Sequence, residues 1–149
     1  MFTENKQGFT LLEVMLVLAV LAVILSVTSF GFRSWLDYYR LRAESRQLYF
    51  TFLKARQYAI IKQEGYGLAF DPQKGAYTLF SENKGEIQTY LLPSGVYFQE
   101  EGIAFGNSQQ MTFRPTGTAR GGHVILENGS GINYQIVVYG LTGRVRFQR

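Results

Sequence analysis

Hydrophobic and polar positions follow three different rhythms along this chain. From Phe9 to Phe32 nearly every residue is apolar, FTLLEVMLVLAVLAVILSVTSFGF, a run of 24 residues. About 20 helical residues cross a bilayer core, so this run is long enough for a transmembrane helix. Between Phe32 and Glu64 there is neither Gly nor Pro. Apolar side chains return there at every third or fourth place: Leu41, Leu48, Phe52, Ala55 and Ala59, with Ser45 filling one position of the series. This spacing predicts an amphipathic helix that continues the apolar one. The other side carries Arg42, Arg46, Lys54, Arg56 and Lys62, read as a solvated or subunit-facing surface. A helix from Phe9 to Glu64 measures about 84 Å. Gly31 is the expected place for a bend, and Gly65 and Gly67 the expected end.

Beyond Glu64 the rhythm shortens to two residues. Fourteen of the 16 glycines and all three prolines lie there. GLAF at 67–70 and AYTLF at 76–80 flank Asp71-Pro72-Gln73-Lys74-Gly75, a hairpin signal. Further strands are expected at 86–92, 96–98, 111–113, 123–127, 132–139 and 144–147. Asn128-Gly129 and the 140–143 stretch supply turns. A long helix followed by consecutive strands implies an α+β fold, with an antiparallel sheet packed on the helix. The pattern sets the boundaries: 9–32 as a membrane helix and 33–149 as a soluble unit (33–64 helix, 65–149 strands), after a short polar stretch, 1–8.

The net charge of +4 is unevenly spread. Residues 33–64 and 112–149 each carry +4, whereas 65–111 carry −3 and 1–32 carry −1. The basic final third hints at an anionic partner, although a charge of this size also serves solubility alone. Cysteine is absent, which removes disulfides and thiolate metal sites. The one histidine, His123, opens a predicted strand and reads as structural. No Ser/His/Asp set, metal-ligand spacing or phosphate-binding glycine motif is present, so no catalytic, cofactor or metal residue is assigned and the chain does not read as an enzyme. Glu100-Glu101 reads as a solvated turn.

One residue does not suit a plain membrane anchor. Glu13 sits inside the apolar run, where a charged side chain costs roughly 2.5–3.5 kcal/mol on insertion scales. Snorkelling to the headgroups is one explanation, and a cation from another subunit is the other. A secretory signal peptide is a poorer reading, because the run is too long and no small-residue cleavage site follows it.

The segment Lys6-Gln7-Gly8-Phe9-Thr10-Leu11-Leu12-Glu13-Val14 resembles the prepilin signature of type IV pilins and type II secretion pseudopilins. The resemblance implies that a prepilin peptidase cuts after Gly8 and that the new N-terminal Phe9 is N-methylated. It further implies that Glu13 pairs with the amine of a neighbouring subunit. Later segments narrow the family. Ala55-Arg56 near the helix end, Phe113-Arg-Pro-Thr-Gly117, and Gly143-Arg144-Val145-Arg146 resemble motifs of the GspH/FimT minor pilins and pseudopilins. The resemblance covers most of the chain and is weakest over residues 81–110, where the family varies.

The function implied is that of a minor pilin or pseudopilin, held in the inner membrane by a single pass. Its N-terminus is expected in the cytoplasm and its C-terminal domain outside. The expected partners are other pilin subunits and the prepilin peptidase, with assembly into a pilus or pseudopilus for protein secretion. The alternative is a DNA-binding minor pilin used in DNA uptake. Strand alternation sends Val145 and Phe147 to one face and Arg144 and Arg146 to the other. Arg149 is expected beside those two, and Arg114 or Arg120 near them. Two outward arginines can grip successive phosphates. They can equally blunt an edge strand or pair with Glu100, Glu101 or Glu127.

Overall fold

The computed structural model describes residues 9–106 and 108–149; the side chains of residues 27–34 lie outside that description. One helix, α1, runs from Leu11 to Lys62. Eight strands follow: β1 Tyr66–Asp71, β2 Ala76–Ser81, β3 Gly85–Leu91, β4 Val96–Ala104, β5 Gln110–Phe113, β6 Gly122–Asn128, β7 Asn133–Tyr139 and β8 Arg144–Gln148. Contacts divide the chain into two compact units, the second running from Leu36 to Arg149.

In the first unit, every large apolar side chain from Phe9 to Leu25 is exposed. Among the described residues no helix is long and apolar enough to cross a membrane. Leu11–Ser26, the stretch of α1 in this unit whose side chains are described, rises about 24 Å, short of the roughly 30 Å of a hydrocarbon core. The side chains of the rest of the run, residues 27–32, fall outside the description.

The second unit holds the core. Leu41, Ser45, Leu48, Phe52, Ala55 and Ala59 are all fully buried, so the three- and four-residue spacing does mark the inward stripe of α1. The strands form two antiparallel sheets rather than the single one expected, ordered β3-β2-β1-β5 and β4-β6-β7-β8. The chain crosses to the second sheet at β4, returns for β5 and crosses again for β6. Short strands of similar composition do not declare their sheet, because pairing is settled by non-local contacts. Phe52 bridges the layers, its ring 6.1 Å from both Phe70 on β1 and Phe105. Tyr49 reaches Phe147 on β8 at 6.1 Å.

Two local expectations change. The helix ends on Gln63, which takes the left-handed conformation (φ 54°) expected of a glycine. Gly67 is instead demanded by space, since a Cβ there would collide with the Met111 carbonyl; a Cβ at Gly65 would meet only the movable end of the exposed Glu82 side chain. Glu100 and Glu101 are exposed as expected, but they lie within β4 at a bulge. The β4–β6 register slips between Phe98 and Ile103, and Glu101 has φ 59°.

Candidate functional site

At the N-terminus, Thr10 caps α1. Its Oγ1 accepts from the Glu13 amide at 3.3 Å, and its carbonyl accepts from the amides of Glu13 and Val14 at 3.1 and 3.2 Å. Thr10-x-x-Glu13 is thus the spacing of a capping box, a signal that the sequence itself carries. The cap fixes Glu13 on the first turn, where the amide dipoles favour its negative charge. Glu13 also borders an apolar groove of about 240 Å³ with Phe9, Val14, Val17 and Leu18. Phe9 is 83% exposed. Gly8 and the rest of the expected leader, residues 1–8, lie outside the described residues.

The C-terminal arginines separate into two groups. On β8, Val145 is buried while Arg144 and Arg146 are exposed, as alternation requires. They occupy a sheet edge, opposite Tyr139 and Val137 of β7. Arg46 joins them across a groove of about 520 Å³ between α1 and β8, with Phe50 also on its wall. Arg149 does not sit beside them: its guanidinium lies 5.9 Å from the ring centroid of Tyr38, on α1. One residue past the end of β8, it continues the face of Val145 and Phe147. Arg120 packs over Gly106, on the chain leaving β4 at the other edge of this sheet. Among the described residues no ion pair joins Arg144 or Arg146 to Glu100, Glu101 or Glu127.

Arg56 was expected on the solvated side of α1. Its guanidinium instead ties two loops to the helix, donating to the carbonyls of Gly117 and Thr142, each at 3.2 Å. Gly143 (φ 60°) lies against the Gly117 carbonyl so tightly that no Cβ fits. The three later motifs therefore meet at one place. Within the same unit Tyr77 donates to the Glu44 carboxylate at 2.9 Å. Burial pushes the Glu44 carboxyl above its usual range, and burial followed by the Glu44 charge pushes the Tyr77 phenol up. His123 lies on β6 between Ala104 and Val137. No group of three or more metal-ligating side chains occurs among the described residues.

Comparison with known families matches this arrangement at both ends. The prokaryotic N-terminal methylation motif matches residues 4–29, the stretch that contains the capped Glu13. The model of the type II transport protein GspH matches residues 44–142, from the buried face of α1 to the Arg56 junction. The chain belongs to the GspH family. The N-terminal methylation motif stands ahead of that family's domain in the chain. The fold resembles that of the minor pseudopilin EpsH from the type 2 secretion system of Vibrio cholerae, with a TM-score of 0.58 and 13% identity over 72% of this chain and 95% of that one. It also resembles the type IV minor pilin FimU of Pseudomonas aeruginosa, with a TM-score of 0.58 and 12% identity over 73% and 93%. At these identities the likeness concerns fold. No curated protein sequence matches the chain.

Proposed function

We propose that this GspH-family chain is made as a prepilin, cut after Gly8, methylated on Phe9 and built through α1 into a pseudopilus or pilus that serves protein secretion. Residues 9–32 hold it in the inner membrane in a single pass, with the N-terminus cytoplasmic and residues 33–149 outside. Glu13 then receives the N-terminal amine of a neighbouring subunit. The observation that carries this reading is Glu13 on the capped first turn of a helix whose described apolar side chains, Phe9 to Leu25, are all exposed. Such a surface needs lipid or other helices around it. A carboxylate among those chains needs a cation. Intact mass and N-terminal sequencing of the membrane-extracted protein test the processing step. A chain beginning at N-methylated Phe9 is expected, and a chain beginning at Met1 in cells with active prepilin peptidase would overturn it.

A second reading, DNA binding for uptake, is favoured by one observation. Arg144 and Arg146 are both exposed on the β8 edge, and Arg46 faces them across the groove. This cluster suits phosphates without base readout.

A further inference from the structure

A second group of basic side chains surrounds Tyr38, and its Arg42 also lines a small cavity with Arg46. The Tyr134 hydroxyl, in a residue only 4% exposed, donates to the Tyr38 hydroxyl at 3.3 Å. Tyr134 is held by stacking on Phe147, with ring centroids 5.1 Å apart. This leaves the Tyr38 proton available to an outside acceptor. Arg149 lies over the Tyr38 ring, and Arg42 stands one helical turn on from Tyr38. The Tyr134 hydrogen bond, with the charges of Arg42 and Arg149 behind it, holds the Tyr38 phenol below its ordinary pKa. The nearest acid in sequence, Asp37, faces Arg40 at 3.8 Å. Among the described residues neither Arg42 nor Arg149 has a carboxylate ion-pair partner. Two guanidinium groups and a phenol cluster here, Arg149 over the Tyr38 ring and Arg42 one turn on from it, and a phosphate oxygen is an acceptor that suits such donors.

The sequence says where that phosphate sits. Tyr38 follows Phe32, the last residue of the apolar run, by only six residues in the sequence. Headgroups extend about 5–8 Å beyond the hydrocarbon on each side of a bilayer, and aromatic residues gather at that level. We propose that Arg42, Arg149, Tyr38 and Tyr134 form a binding site for the phosphate of an anionic phospholipid headgroup. The site orients the globular unit on the membrane before assembly. It rests on the reading of residues 9–32 as the membrane anchor.

The full chain, reconstituted in phosphatidylcholine nanodiscs, tests this with its single tryptophan, Trp35, as the fluorescent reporter. Replacing about a third of the lipid by phosphatidylglycerol is expected to shift Trp35 emission and raise the melting temperature. Arg42→Gln/Arg149→Gln is expected to lose both responses, and Arg144→Gln/Arg146→Gln to keep them. Tyr38→Phe, which keeps both cations, is expected to lose part of the response and guards against misfolding of the double variant. Equal behaviour in the two lipids, or equal losses in the two double variants, overturns the site. The same responses in neutral discs on adding inorganic phosphate, or duplex DNA, overturn the lipid assignment. Failure of the wild type to stay in neutral discs removes the anchor and the site with it, whereas retention without a phosphatidylglycerol response removes the site alone.

Discussion

Arg56 donates from Nε to the carbonyl of Gly117, joining the helix to a loop 61 residues further along the chain. The same guanidinium reaches Thr142, and Gly143 closes against Gly117. The junction explains why an arginine, and not merely a cation, stands at this place. Its planar fork can serve two carbonyls at once, and a lysine ammonium cannot do so with the same geometry.

Arg56→Ala is therefore expected to destabilise the globular unit by about 2 kcal/mol, given roughly 1.5–3 for hydrogen bonds from charged groups and some relief by solvent. Arg56→Lys should recover only part of this. Gly143→Ala should cost more than about 1 kcal/mol, because the site demands a positive φ and has no room for a methyl. Urea denaturation of the three variants measures this; an unchanged midpoint in Arg56→Ala would show that the junction does not hold the loops.

Glu44 gives a pH dependence of definite sign. Burial raises its pKa in the folded state, so its contribution to stability is fully present below the unfolded carboxylate pKa of about 4.3 and is lost as pH rises through the folded value. Glu44→Gln keeps an acceptor for Tyr77 and removes that loss. Thermal melts from pH 4 to 7 should show the variant gaining on the wild type as pH rises. Parallel curves would contradict the buried-carboxylate reading.

Much of this fold was legible before any coordinates. Each expected strand segment coincides with a strand, since short β-branched and aromatic runs such as HVILE and INYQIVVY, bounded by glycine turns, are too short for helices and suit strands. The inward stripe of α1 was legible for the same reason. The division into two sheets was not, because β4 and β5 exchange sheets through contacts far apart in sequence. Arg56 and Arg149 were placed with the solvated arginines, since periodicity reports the direction of a Cβ and not where a long side chain ends. At the candidate site, the Gly8-Phe9-Glu13 motif stood out in the sequence, whereas the meeting of Arg46 with Arg144 and Arg146 depends on α1 lying beside β8.

Residues 33–149 are expected to fold alone, since the core cluster lies between Leu41 and Val145. Circular dichroism of that fragment should show mixed helix and strand with a cooperative melt. A featureless spectrum under several buffer conditions would mean that the apolar run is needed for folding.

The same fragment tests the β8 edge. Duplex DNA should bind weakly, with little sequence preference and steep loss on adding salt. Arg144→Ala/Arg146→Ala should weaken binding and lower the salt slope by about 2, one for each phosphate contact removed. Undiminished binding by the double variant, or none at low salt, leaves the edge arginines as guards of an exposed strand.

Assembly through Glu13 is tested most directly by isolating filaments or pseudopilus complexes from cells making the Glu13→Val variant. Valine suits a lipid-facing helix at least as well as glutamate, so the variant should reach the membrane and be cleaved at wild-type levels. Its recovery with neighbouring pilin subunits should fall by about tenfold or more, since removing one partner of a buried charge pair costs about 3–5 kcal/mol. Recovery of Glu13→Val with those subunits at the wild-type level would contradict a pairing role for this carboxylate.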